Sequence, residues 1–242
     1  MVENNNVKMG FRDGFPIAIG YASISFAVGF FASSAGLSWL EAFAISVFNF
    51  TSAGQIAAIP IIASCGSLLE LALTQIVINS RYARMSVSLS QRLGPSVRLR
   101  DRLAIAFFNS DELFAIACAK NSLIGSKYYL SLAIVPYCGW IFGTLFGAVL
   151  GGILPAIISE SLSVAIYAMF IAIIIPVAKI QRSTALCILA SIVCSFAFEF
   201  LPVLRDIPDG LVIVILAVAL SALFALIAPV SEKDPWEEEE CV

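Results

Sequence analysis

Residues 210–229 read GLVIVILAVALSALFALIAP, a stretch with no charge and a single hydroxyl. A helix that crosses a bilayer rises 1.5 Å per residue and needs about 20 consecutive apolar residues, so this stretch is long enough to span one alone. Seven further apolar segments precede it, at roughly 14–36, 40–63, 67–90, 103–119, 128–153, 161–178 and 183–201. Membrane β-strands would show segments of about ten residues with alternating polarity, a pattern these runs lack. The chain is therefore read as all-α: a polytopic integral membrane protein with six to eight transmembrane segments, some of them re-entrant or broken.

Composition agrees with that reading. Of 242 residues, 60% are hydrophobic and 13% charged, with a mean hydropathy of +0.96; a soluble domain has about 25% charged and about 45–50% apolar residues. Eight spans would use about 160 residues, which leaves only short connections. A single transmembrane domain over residues 1–231 is expected, followed by an acidic, disordered tail over 232–242. The net charge of −3 comes from that tail, and no basic block points to nucleic acid. The N-terminus is polar up to Asp13 and then apolar for longer than a signal-peptide core, so it reads as a first span. Cys65, Cys118, Cys138, Cys187, Cys194 and Cys241 are scattered without metal-site or redox spacing, and the first five read as small packing residues.

Short-loop lysines and arginines set orientation. If all eight segments cross, Lys8, Arg12, Lys120, Lys127, Lys179 and Arg182 share one side, and both termini are cytoplasmic. Arg92, Arg98, Arg100 and Arg102, the densest basic cluster, then fall outside. The conflict disappears if segments two and four dip in and return. These are the two most polar at their centres, with Asn49-Phe50-Thr51-Ser52-Ala53-Gly54-Gln55 in one and Asn109-Ser110-Asp111-Glu112 in the other. Irregular backbone at membrane depth is tolerated where it is buried in protein or lines a wet cavity, and transporters place substrate sites at such breaks.

Candidate substrate- or ion-binding residues follow from the cost of polarity in a bilayer. Asn79 and Arg81 interrupt the third segment, and a charge there costs about 2.5–3.5 kcal/mol unless it faces a partner or a cavity. Asp111 or Glu112 is the expected partner for Arg81. The plainer alternative ends segment three near Asn79 and lets Arg81 and Arg84 snorkel to the interface. Asp111 and Glu112 sit among phenylalanines; one is expected to be buried and to bind or release a proton, although both also suit the first turn of a capped helix. Asn49, Thr51, Ser52 and Gln55 combine small side chains with amides that suit a ligand's polar end, or close packing. Gly139, Gly143, Gly147 and Gly151 recur every fourth residue, which makes a smooth face for a neighbouring helix. Glu41 and Glu70 lie where helix starts favour an acid. The chain has no histidine, no P-loop and no nucleophile motif, so no enzyme, metal or cofactor is expected.

Gly14-Phe15-Pro16 with Gly20 and Gly29, Ala35-Gly36-Leu37-Ser38, Ala53-Gly54-Gln55, Asn79-Ser80-Arg81, Asp111-Glu112-Leu113-Phe114 and Trp140 to Gly147 occur in an order that resembles the AzlC family. That family comprises the large subunits of branched-chain amino acid exporters, and the resemblance runs from Phe11 to about Pro229. It implies gradient-driven export of leucine, isoleucine, valine or methionine across the cell inner membrane, with a small AzlD-type membrane subunit. Tyr82 stands where many members carry histidine. A zwitterionic substrate would place its carboxylate on Arg81 or a half-helix N-terminus, its ammonium on Asp111, and its side chain among Phe48, Phe50 and Phe107. The rival readings are a channel, and a non-transporting scaffold or sensor with the tail as docking peptide.

Overall fold

A computed structural model of the chain describes residues 3–120, 122–151, 181–200 and 207–227, with isolated positions at 171, 174–175 and 178–179. Among the described residues it is all-helical apart from a two-residue parallel pairing and one isolated bridge. The helices are α1 (Val7–Ser34), α2 (Trp39–Phe48), α3 (Ser52–Ala63), α4 (Leu68–Arg92), α5 (Leu99–Phe107), α6 (Asp111–Cys118), α7 (Ser126–Gly151), α8 (Arg182–Phe200) and α9 (Asp209–Ile227). Four of them, α1, α7, α8 and α9, are long and apolar enough to cross a membrane. With 25 residues, α4 has the length, about 37 Å; Asn79, Arg81 and Arg84 deny it the apolarity. The segment expected at 161–178 and the tail at 232–242 lie almost wholly outside the described residues.

The fold is built on a parallel pair. Gly10 of α1 meets Tyr128 and Ser131 of α7, Gly14 meets Leu132, and Gly29 meets Thr144 and Ala148. From the other side, Gly139 of α7 meets Ala18, Gly143 meets Ala22, Gly147 meets Phe26, and Gly151 meets Ser33. The numbers rise together along both helices, so α1 and α7 run in the same direction. Small residues on both faces let the backbones approach, which is the main source of helix affinity where lipid is as apolar as a side chain.

At the start of this pair the parallel bridge joins β1 (Glu3–Asn4) to β2 (Leu123–Ile124). Leu93 bridges to Ile124, and Gly94 N donates to Ile124 O at 2.9 Å. The end of α4 therefore lies at the start of α1 and α7, and α4 runs antiparallel to both. Arg92 and the arginines after it share this face with Lys8, Arg12, Lys120 and Lys127. It is the basic face of the molecule.

Between the long helices lie two re-entrant hairpins. Going down from the opposite face, α2 has Ser46 Oγ 2.8 Å from Thr144 Oγ1 and Val47 O accepting from Tyr137 Oη at 2.8 Å. The chain breaks at Asn49-Phe50-Thr51, and α3 returns antiparallel to α4: Thr51 Oγ1 donates to Asn79 Oδ1 at 3.2 Å, Gln75 Nε2 donates to Gly54 O at 2.8 Å, and Gly66 ends beside Glu70. The second hairpin enters from the basic face. Its α5 rises to a break at Phe108-Asn109-Ser110, and α6 returns so that Lys120 Nζ meets Asp13 Oδ2 at 2.8 Å. With 10, 12, 9 and 8 residues, these four helices each reach about half-way across the hydrocarbon core.

The breaks fall where the side chains can satisfy the freed backbone. Thr51 caps α3 by accepting from Gly54 N at 3.1 Å, and Ser110 caps α6 by accepting from Leu113 N at 3.4 Å. Wholly buried Gln55 donates to Asn49 O, which satisfies that tip carbonyl in a setting where an unsatisfied group costs several kcal/mol. Each long-helix and hairpin unit, α1 with α2–α3 and α4 with α5–α6, runs opposite to the other. Opposed units of this kind frame central sites in many carriers.

The last two helices pack on α4 and on each other. Gly210 N donates to Glu70 Oε1 at 3.0 Å, and Thr74 Oγ1 donates to Gly210 O at 3.1 Å, so α9 starts where α4 starts. Ser38 and Glu41 form a reciprocal capping box on α2, and Ser67 caps α4 at Glu70.

Segments two and four dip in and return as expected, each as two helices joined at a break. Segment three does not end near Asn79 but continues to Arg92, because Asn79 is held by Gln75 and Thr51 and Arg81 has a partner at the same depth. Of the five described cysteines, only Cys118 is buried; Cys65 and Cys138 are exposed, which corrects the reading of all five as packing residues, and Cys65 closes α3 with a φ of +55°.

Candidate functional site

The two hairpin tips meet half-way along α1 and α7, and their helix starts open into one cavity of about 520 Å³. Phe50, at the first tip, touches the rings of Tyr21 and Trp140 with centroids 5.6 and 6.3 Å away, and Phe108 of the second tip at 6.4 Å. These rings form one wall. Ile24 of α1 and Ile78 of α4 add apolar surface.

The polar wall comes from α4 and the two helix starts. Arg81 Nη1 lies 2.7 Å from Asp111 Oδ2, with both side chains roughly half exposed, at 44% and 48%. Arg81 also donates to Tyr82 Oη at 3.1 Å and stacks over its ring, 4.9 Å from the centroid. Charges at membrane depth are tolerated when paired beside a wet cavity, and this pair meets that condition. Tyr21 Oη lies 2.9 Å from Ser110 Oγ and hydrogen-bonds Glu112. Asp111 and Glu112 occupy the first turn of α6, whereas α3 has no acid in its first turn. The positive end of α3 is thus not neutralised by an acid of its own helix and faces the cavity through Ser52 and Ala53.

Of the residues singled out in the sequence, Thr51, Ser52, Arg81, Asp111 and Glu112 line the cavity. Asn49, Gln55 and Asn79 stand behind it: Asn49 Nδ2 donates to Gln75 Oε1 at 3.3 Å, and Asn79 Nδ2 donates to the same oxygen at 3.1 Å. Gly139, Gly143, Gly147 and Gly151 lie on the seam with α1, away from the cavity. Two placements are corrected. Phe48 is 80% exposed on the outer surface, and Phe107 packs on Phe108 and Tyr137 outside the lining, so only Phe50 of the three aromatics reaches the cavity.

Tyr21, Tyr82, Ser110 and Trp140 were not among the candidates, yet they line the cavity. A lone tyrosine hydroxyl within an apolar span was the available signal for Tyr21. Trp140 gave none. Its indole N–H is buried without an acceptor. Two other cavities, of about 650 and 660 Å³, lie around the start of α9. They bring Glu199, Asp209 and Glu70 to their walls but no cation among the described lining residues, so of these three cavities the central one alone offers both signs of charge there.

Five described helices that traverse the fold, two opposed re-entrant hairpins and a charged cavity at their tips define a polytopic helical membrane protein with a central polar site. The family described as AzlC protein matches residues 16–154, more than half of the chain. Inner membrane protein YgaZ of Escherichia coli K12 is 30% identical over 195 residues, covering 78% of this chain and 79% of that protein. An uncharacterised membrane protein of Archaeoglobus fulgidus is 31% identical over 137 residues, or 57% of this chain and 59% of its own, and one of Helicobacter pylori J99 is 25% identical over 141 residues, or 55% and 61%. No solved structure matches. The chain belongs to the AzlC family and is a transport-related membrane protein.

Proposed function

We propose that the chain is the large subunit of a two-component secondary transporter that exports small hydrophobic, branched-chain amino acids by alternating access. The observation that carries this reading is the juxtaposition in one cavity of Arg81, two carboxylates and an aromatic-aliphatic wall. An amino acid zwitterion needs those three things together. Its carboxylate suits Arg81 and the start of α3, its ammonium suits Asp111 and Glu112, and its side chain suits Phe50, Ile24, Ile78 and Trp140. A volume of about 520 Å³ is within the usual range for small-molecule sites.

The basic face is assigned to the cytoplasm by the lysine and arginine rule, which puts the first hairpin on the outside and the second on the inside. The small AzlD-type partner follows from the family resemblance. The reading is tested by efflux of preloaded leucine, isoleucine, valine or methionine from cells expressing the chain with its partner subunit. Saturable, gradient-dependent efflux that is lost in Arg81→Ala is expected. Absence of efflux for all four, or unchanged efflux in Arg81→Ala, would refute it.

A further inference from the structure

We propose that a crevice between α4 and α5 at the basic face seats one anionic phospholipid, with its phosphate on Arg98, Arg100 and Arg102 and the start of an acyl chain between the two helices. The proposal is independent of what the central cavity carries. The crevice measures about 180 Å³. Leu89, Leu93 and Ile105 form its buried floor, whereas Ser90 and Ala106 on its walls are exposed.

The crevice is graded by depth as a lipid is. Because α4 ends and α5 begins at the basic face, Leu93 and Arg102 lie towards the headgroup level, and Ser86 and Ala106 lie deeper. From Arg98 to Ala106 a helix rises about 12 Å. A phosphate at the interface with a chain below it fits that order. The outer side of α5 is apolar, with Leu99 and Leu103, one turn apart, 72% and 64% exposed. Surface of this kind beside arginines suits the boundary between headgroups and hydrocarbon.

The charges are available for a ligand. Arg98 and Arg100 are exposed, and neither makes an ion pair among the described residues. Arg102 donates from Nε to Val97 O and from Nη1 to Ser90 O, both at 3.4 Å. These carbonyls orient the guanidinium at the crevice without cancelling its charge. Asp101 is the acid in the first turn of α5, and it does not balance three arginines. Orientation in the membrane needs only the positive charges. A headgroup site needs them above an apolar slot, the combination by which basic pockets between membrane helices hold anionic lipids. Lys8 and Lys127 add charge to the same face but do not line this crevice. A chain lodged there fixes α5 against α4, and so steadies the second hairpin from its foot.

The test uses the purified full-length chain in detergent micelles with equal amounts of dioleoyl phosphatidylglycerol and dioleoyl phosphatidylcholine. It reads retained lipid by native mass spectrometry and the midpoint of a heating series. The wild type is expected to retain phosphatidylglycerol at least about tenfold over phosphatidylcholine, and to melt higher in its presence. An arginine near a membrane surface contributes about fivefold to binding of acidic lipid, so Arg98→Gln with Arg100→Gln should weaken retention about 25-fold and abolish the preference. Lys8→Gln with Lys127→Gln removes equal charge from the same face and should leave the preference within about twofold. Ala106→Leu fills the crevice at constant charge and should lower retention by about fivefold or more. Equal losses in the two double variants would reduce the effect to surface potential and overturn the seat. So would full retention in Ala106→Leu, or no preference in the wild type. Millimolar glycerol 3-phosphate should not displace the lipid; displacement would assign the site to a free phosphate ester and overturn the proposal.

Discussion

Adding one methyl group to Gly139 probes the parallel seam on which the fold is built. An ideal Cβ at Gly139 would lie 2.7 Å from the carbonyl oxygen of Ala18, where ordinary contact begins at 3.4 Å, so α7 must retreat from α1 by about 0.7 Å. The obstacle is backbone and cannot rotate aside. A gap of 0.5–1 Å forfeits a quarter to a half of each affected dispersion contact, and overpacking costs typically about 1–3 kcal/mol. Helix propensity acts in the opposite direction, since alanine is better than glycine by about 1 kcal/mol in a helix interior. The net expectation for Gly139→Ala is a loss of up to about 2 kcal/mol. Gly20 on α1 supplies the control, because nothing lies within 4 Å of its ideal Cβ. Gly20→Ala should therefore gain up to about 1 kcal/mol. The assay is the fraction of monodisperse protein that survives a heating series in detergent, read for both variants beside the wild type. The two changes should move the midpoint in opposite directions. Equal midpoints, or a Gly139→Ala protein more stable than Gly20→Ala, would refute the parallel packing of α1 on α7.

The re-entrant topology predicts labelling from opposite sides: in intact cells an impermeant maleimide should modify the native, exposed Cys65 after α3, but reach Arg98→Cys only after permeabilisation. Labelling of both from outside would sink the second hairpin. Gln55→Leu should lower stability by about 1–3 kcal/mol and reduce transport as well, because it strips the buried donor from Asn49 O at the first tip. A Gln55→Leu protein with wild-type stability would show that the tip does not depend on that bond.

Helical character and membrane residence were fully legible in the sequence, because the cost of an exposed peptide group in lipid leaves few spanning structures and fixes their length. The breaks were legible too. Asn49 to Thr51 and Asn109 to Asp111 combine capping residues with polarity that an apolar span cannot hide, and the arginines from Arg92 to Arg102 could not sit outside if every segment crossed. Arg81 with Asp111 was foreseeable as well, since a lone charge at that depth needs a partner.

Which apolar residues face inward was not legible. In water, a helix marks its buried side by periodicity. In lipid, both sides are apolar, so Phe48 and Phe50 look alike in sequence although one points to the outer surface and the other into the cavity. The glycine repeat announced a close neighbour but not which helix it was or in which direction it ran; the contacts with Ala18, Ala22 and Phe26 decided that. The tertiary structure alone brought Tyr21 to Glu112 across 91 positions and Trp140 beside Phe50. The sequence determined where polarity is placed along the chain. Packing of the two hairpin tips against the α1–α7 pair gathered that polarity into one cavity, where among the described lining residues Arg81 faces Asp111 and Glu112.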